Sequence, residues 1–482
     1  PYVDGLALRA FDIAPRMQLS EGEDRALREA RRVATESGSA ERLFSIAARL
    51  RRDKAAVASR EMILSRICLA IGDAKFQEAD YASAERHYQE ALGYAESADE
   101  PAIRDICLSE LAAAVGMQGR HEQALVHLDR LLALNPDDPA AWYNKGICLL
   151  ALKRLRQAQL ASSRAIELAR EAEAWDLVAR SYLNLGVAHD RVGDPEKAIE
   201  SYENAIRTGG DADEWGTVAK AQYNAGKACE ALGNHVAEIE YYQKAIEIGA
   251  SAGEWSTVAD AYGNLGAAQL QFGKVREATE SWRMAVEFAT KGQDWRAAGD
   301  AWFRLGLVHA QEGEYEEALK AHMKAVDCST RSMQWLGVAK GWYGAGLAQA
   351  EMGDHESATK SYSQAIEAAL RVERYELAAA AWLQLGGQQL TLERYQEALA
   401  CGEDMMECAT KARDWDGVAG AHNLIALAHS GLDHYAEALA SFEKAIEVGT
   451  ENEAWVRVSF GHYGTGLVHR ELGAHHLSLI HI

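Results

Sequence analysis

The chain has 482 residues, 48% of them hydrophobic and 25% charged, a balance that excludes disorder as its main state. Its 72 acidic and 50 basic side chains leave a formal charge of −22, which weighs against general binding to nucleic acid or anionic membrane. Six prolines in this length point to helix, and no apolar run approaches the roughly 18 residues of a membrane span.

Residues 1–59 carry helical periodicity, as in Leu27, Ala30, Val33 and Ala34. They read as a degenerate hairpin or the tail of an upstream domain. Arg49, Arg51, Arg52 and Lys54 make the stretch locally basic, as a solvated helix face would be. The chain opens at Pro1 rather than methionine, as expected of an internal fragment. At its other end, residues 477–482 look like a translated sequencing adaptor and are set apart from the fold.

Between these ends the sequence is periodic. Trp175, Trp215, Trp255, Trp295, Trp335, Trp415 and Trp455 share one 40-residue register, with Tyr375 in the remaining slot. Eleven residues after each aromatic comes Gly186, Gly226, Gly266, Gly306, Gly346, Gly386 or Gly466, with Ala426 the exception. Seven further on stand Gly193, Gly233, Gly273, Gly313, Gly353 and Gly473, with Glu393 and Asp433 in the gaps. Alanines follow at Ala198, Ala278, Ala318, Ala358, Ala398 and Ala438, and again at Ala205, Ala245, Ala285, Ala325, Ala365 and Ala445.

Each unit therefore predicts a helical hairpin. An acid before the aromatic (Glu214, Glu254, Asp294, Asp414) suits the positive end of a first helix. The first glycine lets a neighbouring helix approach closely, and the second sits at the corner, where positive φ is useful. A second helix follows, with Pro195 near the first turn of one of them. The tryptophans are expected to be structural, sealing the joints between successive hairpins. Such hairpins cannot bury their apolar faces alone, so they must stack.

Tyr182-x-x-Leu185-Gly186 followed by Ala198, Tyr202 and Ala205, and Trp302-x-x-Leu305-Gly306 followed by Ala318 and Ala325, resemble the tetratricopeptide-repeat signature. Units longer than 34 residues are similar to the long-repeat subclass of Leu-Gly-Asn-type polarity adaptors and rapsyn, and to kinesin light chain and MalT-like regulators. The resemblance covers residues 60–474 and implies an all-α, right-handed superhelical solenoid of about ten complete hairpins and a truncated one.

Asn144, Asn184, Asn224 and Asn264 stand two residues before the first glycine in four successive repeats, and Arg304 takes the next slot. Asparagine is a mediocre helix former, so its return needs a cause. The resemblance implies that this position lines the concave surface, where an amide offers donor and acceptor to an extended peptide. The alternative is that these residues bond neighbouring helices or water. On the peptide reading, groove positions Lys220, Tyr223, Lys227, Phe303, Arg304 and Tyr343 set partner identity.

No catalytic constellation, cofactor motif or metal-ligand spacing emerges. Gly344-Ala345-Gly346 falls inside a helix with no strand before it, and His189, His309, His429 and His469 form a column read as packing. Seven cysteines without a C-x-x-C pair, and no Asn-x-Ser/Thr acceptor, favour a reducing, cytoplasmic setting. The expected function is a non-catalytic adaptor for a protein or peptide partner, without nucleic-acid binding or membrane insertion. The alternative is the sensor arm of a larger signalling protein.

Overall fold

A computed structural model describes residues 27–30, 32–33, 40–52 and 57–473. Ala34, Lys54 and the segment 477–482 lie outside the described residues, as do the side chains of Arg49, Arg51 and Arg52. Among the described residues the regular structure is entirely α-helical, so the chain is an all-α solenoid of helical hairpins. No described helix is long and apolar enough to cross a membrane.

The chain divides into two compact units, Pro1–Glu238 and Ile239–Ile482. In the first, the helix Ala40–Arg52 packs on Val57–Gln77, ahead of four hairpins that begin at Val57, Pro101, Pro139 and Trp175. The helix Trp215–Ala231 follows. In the second, five hairpins begin at Trp255, Trp295, Trp335, Tyr375 and Trp415, and the helix Trp455–Glu471 follows. Within each unit the first helices of neighbouring hairpins touch one another, so they build a shared face.

Local chemistry sets the helix ends. Asp294 accepts the amide of Ala297 at 2.9 Å, and Asp194, Asp354 and Asp414 cap their helices in the same way. Glu214 and Glu254, one methylene longer, make no side-chain cap bond. The corner inside each hairpin is left-handed: Gly193, Gly313 and Gly353 have φ of 88°, 78° and 79°. Glu393 and Asp433 adopt φ of 58° and 61° at the corners that lack glycine.

The expected tryptophan column is only partly buried: Trp295 and Trp335 pack against buried apolar clusters. Four of the opening tryptophans remain substantially exposed: Trp175 at 47%, Trp215 at 46%, Trp415 at 45% and Trp455 at 60%. The rings buried inside come from the second helices, as Tyr202, Tyr242, Trp282, His322, Tyr362 and Phe442. Tyr202, Trp282, His322, Tyr362 and Phe442 lie against first-helix glycines. A Cβ added at Gly186 would fall 2.4 Å from the Tyr202 ring, at Gly266 2.6 Å from Trp282, and at Gly346 2.7 Å from Tyr362. A helix start is a rim position, whereas mid-helix glycine opens a slot where a large ring can lie flat. Nearer the amino terminus, Gly72 and Tyr88 repeat the arrangement, and the Tyr88 hydroxyl donates to Asp73 at 2.9 Å. Beside that hairpin, Arg66 and Glu100 form a buried ion pair at 3.3 Å.

Candidate functional site

Asn144, Asn184 and Asn224 lie on three first helices of one unit, two residues before the buried Gly146, Gly186 and Gly226. All three are half-buried, and these helices touch in sequence. The Asn184 amide nitrogen is enclosed and makes no hydrogen bond, leaving a donor whose desolvation is uncompensated. Around them Lys220 and Lys227 are exposed, and Tyr223 is half-buried with the Lys227 ammonium 5.8 Å from its ring centre.

In the second unit Asn264 is half-buried on Trp255–Gln271. The Arg304 guanidinium is exposed and lies 5.9 Å from the ring centre of Trp282, whose indole N–H donates to the Gly263 carbonyl at 2.9 Å. Half-buried Tyr343 packs 5.9 Å from the Tyr362 ring; burial raises its phenol, opposed by a hydrogen bond with Gln384 in the asparagine slot of the next hairpin. Gly344, which takes the slot between Arg304 and Gln384, is pressed against His322: a Cβ there would lie 2.6 Å from the imidazole. The slot is thus partly a packing position, with polar residues where room remains.

Sequence reasoning missed the charges threaded through this face. Arg180 binds Glu214 at 2.7 Å, across to the next hairpin, and Asp176 at 3.6 Å in its own helix. In the second unit Arg296 donates to both Asp260 oxygens at 2.8 and 2.9 Å, with Asp294 and Asp300 nearby at 3.7 and 3.6 Å. Burial drives the Asp260 carboxyl above its usual value, although the Arg296 bond pulls the other way. Arg457 repeats the device with Asp416 at 3.1 Å, and its carbonyl accepts the Asn423 amide at 3.1 Å. These positions hold both signs in different repeats, so no single-residue column exposes them.

Models described as "Tetratricopeptide repeat" match residues 106–148, 137–208, 183–253, 264–331, 298–371 and 377–451. The chain belongs to the tetratricopeptide-repeat family. No curated protein matches it. Among solved structures it is similar to a Signal Transduction ATPase with Numerous Domains protein with a tetratricopeptide repeat sensor from Pyrococcus horikoshii. That match has 16% identity and a TM-score of 0.53, covering 74% of this chain and 55% of that one. The chain thus spans about half the length of that protein. Further matches are MamA, at 25% identity and a TM-score of 0.32 over 40% of this chain and 94% of that one, and the apo form of RapI, at 15% and 0.41 over 57% and 98%.

Several reactive groups of this tetratricopeptide array are engaged or enclosed. Burial raises the Cys148 thiol to about 11 and the Cys401 thiol to about 12, far from the range of a nucleophilic thiolate. His189 shares a hydrogen bond with Gln159 at 3.1 Å, and His309 pairs with Glu314 at 2.7 Å. His309, Glu312 and Glu314 are the one described group whose ligand atoms all lie within 4.8 Å of one another; both glutamates are exposed at a hairpin corner. Tetratricopeptide repeats serve as protein-interaction scaffolds, which accords with a face of amides, rings and paired charges.

Proposed function

We propose that the chain is a non-catalytic adaptor whose first-helix face holds an extended peptide through its asparagine column. The observation that carries this reading is the recurrence of Asn144, Asn184 and Asn224 at one slot on three helices, each touching the next. An asparagine amide carries a donor and an acceptor for a peptide backbone, and at Asn184 the enclosed nitrogen would have to turn outward to donate. At about 0.5–1.5 kcal/mol per hydrogen bond, three would fix path and register without dictating sequence. Lys220, Tyr223 and Lys227 then read side chains in that unit, and Asn264, Arg304 and Tyr343 do so in the other. The partner is a protein segment, and the seven buried, free cysteines accord with a cytoplasmic setting.

The test is to select a peptide on the wild-type chain from a displayed library and measure its affinity for N144A/N184A/N224A. A loss of about tenfold or more with an unchanged melting temperature is expected. Equal affinity, or a collapsed fold, sinks the column as a binding device.

A second reading draws on the similarity to the Pyrococcus horikoshii protein, whose repeats are named a sensor. Here the array would regulate an effector domain on the same polypeptide. Reading the transcript beyond both ends separates the two: an ATPase, kinase or DNA-binding domain supports the sensor arm.

A further inference from the structure

Four consecutive hairpins of the second unit roof their opening aromatic with a cation. Lys291 lies 3.5 Å from the ring centre of Trp255, Arg331 4.9 Å from Trp295, Arg371 3.7 Å from Trp335 and Lys411 5.5 Å from Tyr375. Each cation stands at the end of the second helix, and all four rings are half-buried.

The next hairpin breaks the rule. Trp415 opens its first helix in the same way but is 45% exposed, and the residue in the cation position is Glu451. The backbone there is equivalent. Glu451 ends the helix Tyr435–Glu451 as Arg371 ends His355–Arg371. The corner closes through the Ala454 amide on the Gly449 carbonyl at 2.7 Å, matching Arg374 on Ala369 at 2.9 Å. One turn earlier stands Glu447, where the other four hairpins also carry an acid (Glu287, Asp327, Glu367 and Glu407), so the change of sign lies at position 451 alone. In the first unit Trp175 is 47% exposed, and Asp211 occupies its cation position.

We propose that Trp415 and Glu451 form a docking point for an arginine side chain of a basic partner segment. The partner supplies from outside the cation that Arg371 supplies to Trp335 from within. The ring face attracts a cation through its quadrupole, and the planar guanidinium stacks on it while pairing with the carboxylate. A chain of net charge −22 draws such a segment in. This site is separate from the asparagine column, whose slot in the same helix holds the buried Leu424, and it does not depend on that reading.

The test uses a fluorescent synthetic arginine–glycine peptide, titrated by anisotropy near physiological salt into the wild type and three variants. E451R places the cation in cis, W415A removes the ring, and E403R makes the same charge change on the exposed face of another second helix. E451R and W415A should each weaken binding about fivefold or more, and E403R less than about twofold. E451R should also shield Trp415 from acrylamide quenching, a readout that stands if W415A folds poorly. Equal loss in E403R and E451R would reduce the effect to bulk acidity and overturn the site. Unchanged binding by a folded W415A, or no added shielding in E451R, would do the same. A wild type that ignores the peptide but dimerises through Trp415 would overturn it in favour of a second copy.

Discussion

The joint around His322 and the joint around Gly402 solve one packing problem with opposite parts. In the first, the second helix supplies an imidazole that is 1% exposed, and both facing helices give way with glycine, at Gly306 and Gly344. In the second, the second helix has only Gly402, and the following hairpin supplies Leu424, 3% exposed, whose methyl would meet a Cβ on Gly386 at 2.4 Å. The filler has moved from one helix to another while the space stays filled. The asparagine slot is thereby tied to the joint. It holds Asn224 after Tyr202, Asn264 after Tyr242, Arg304 after Trp282 and Gln384 after Tyr362, and turns apolar at Leu424, after Gly402.

The comparison is broken most severely at Leu424. With glycines at 386 and 402, no neighbouring side chain of its column can refill the space. Leu424→Ala should cost about 2–5 kcal/mol in denaturant unfolding. Asn224→Ala, on a half-buried slot beside a joint already filled by Tyr202, should cost under about 1 kcal/mol. Equal losses would show that the slot is a core position throughout.

His322 gives the second test. Its Nδ1 is buried with no hydrogen-bond partner, and burial pushes the imidazole down from 6.5 to about 4. The folded state therefore keeps the neutral ring while the unfolded chain takes up a proton below about pH 6.5. The stability contributed by the neutral ring is complete above that pH and is lost as pH falls toward 4, by up to about 3 kcal/mol. Urea midpoints of wild type and His322→Phe should diverge least near neutrality and most near pH 4, with the wild type losing more. Parallel pH profiles would place the imidazole in water.

The solenoid was legible because its marks are single-residue columns: the glycines at 193, 233 and 313 needed only their spacing to be read as left-handed corners. The burying ring was harder to read, because its column changes type from Tyr202 through Trp282 and His322 to Gly402. The conspicuous tryptophan column took its place in the reading, although Trp175, Trp215, Trp415 and Trp455 stay substantially exposed at the helix start. Arg180 and Arg296 were hidden for a related reason. Each depends on a partner in the neighbouring hairpin, and the sign of the charge at each position alternates.

The smallest effect separates rim from joint. Arg371 lies 3.7 Å from the centre of the Trp335 ring, and both are at the hairpin's edge. Arg371→Gln removes the cation but keeps much of the stem that covers the ring. Loss of a partly exposed cation–π contact should lower stability by about 0.5–1 kcal/mol, seen as a small shift of the urea midpoint with an unchanged m-value. The same change should make Trp335 more accessible to acrylamide, closer to the 45% exposed Trp415. If Arg371→Gln instead costs as much as Leu424→Ala, the opening tryptophan belongs to the joint after all, and the division of labour between the two aromatic columns fails.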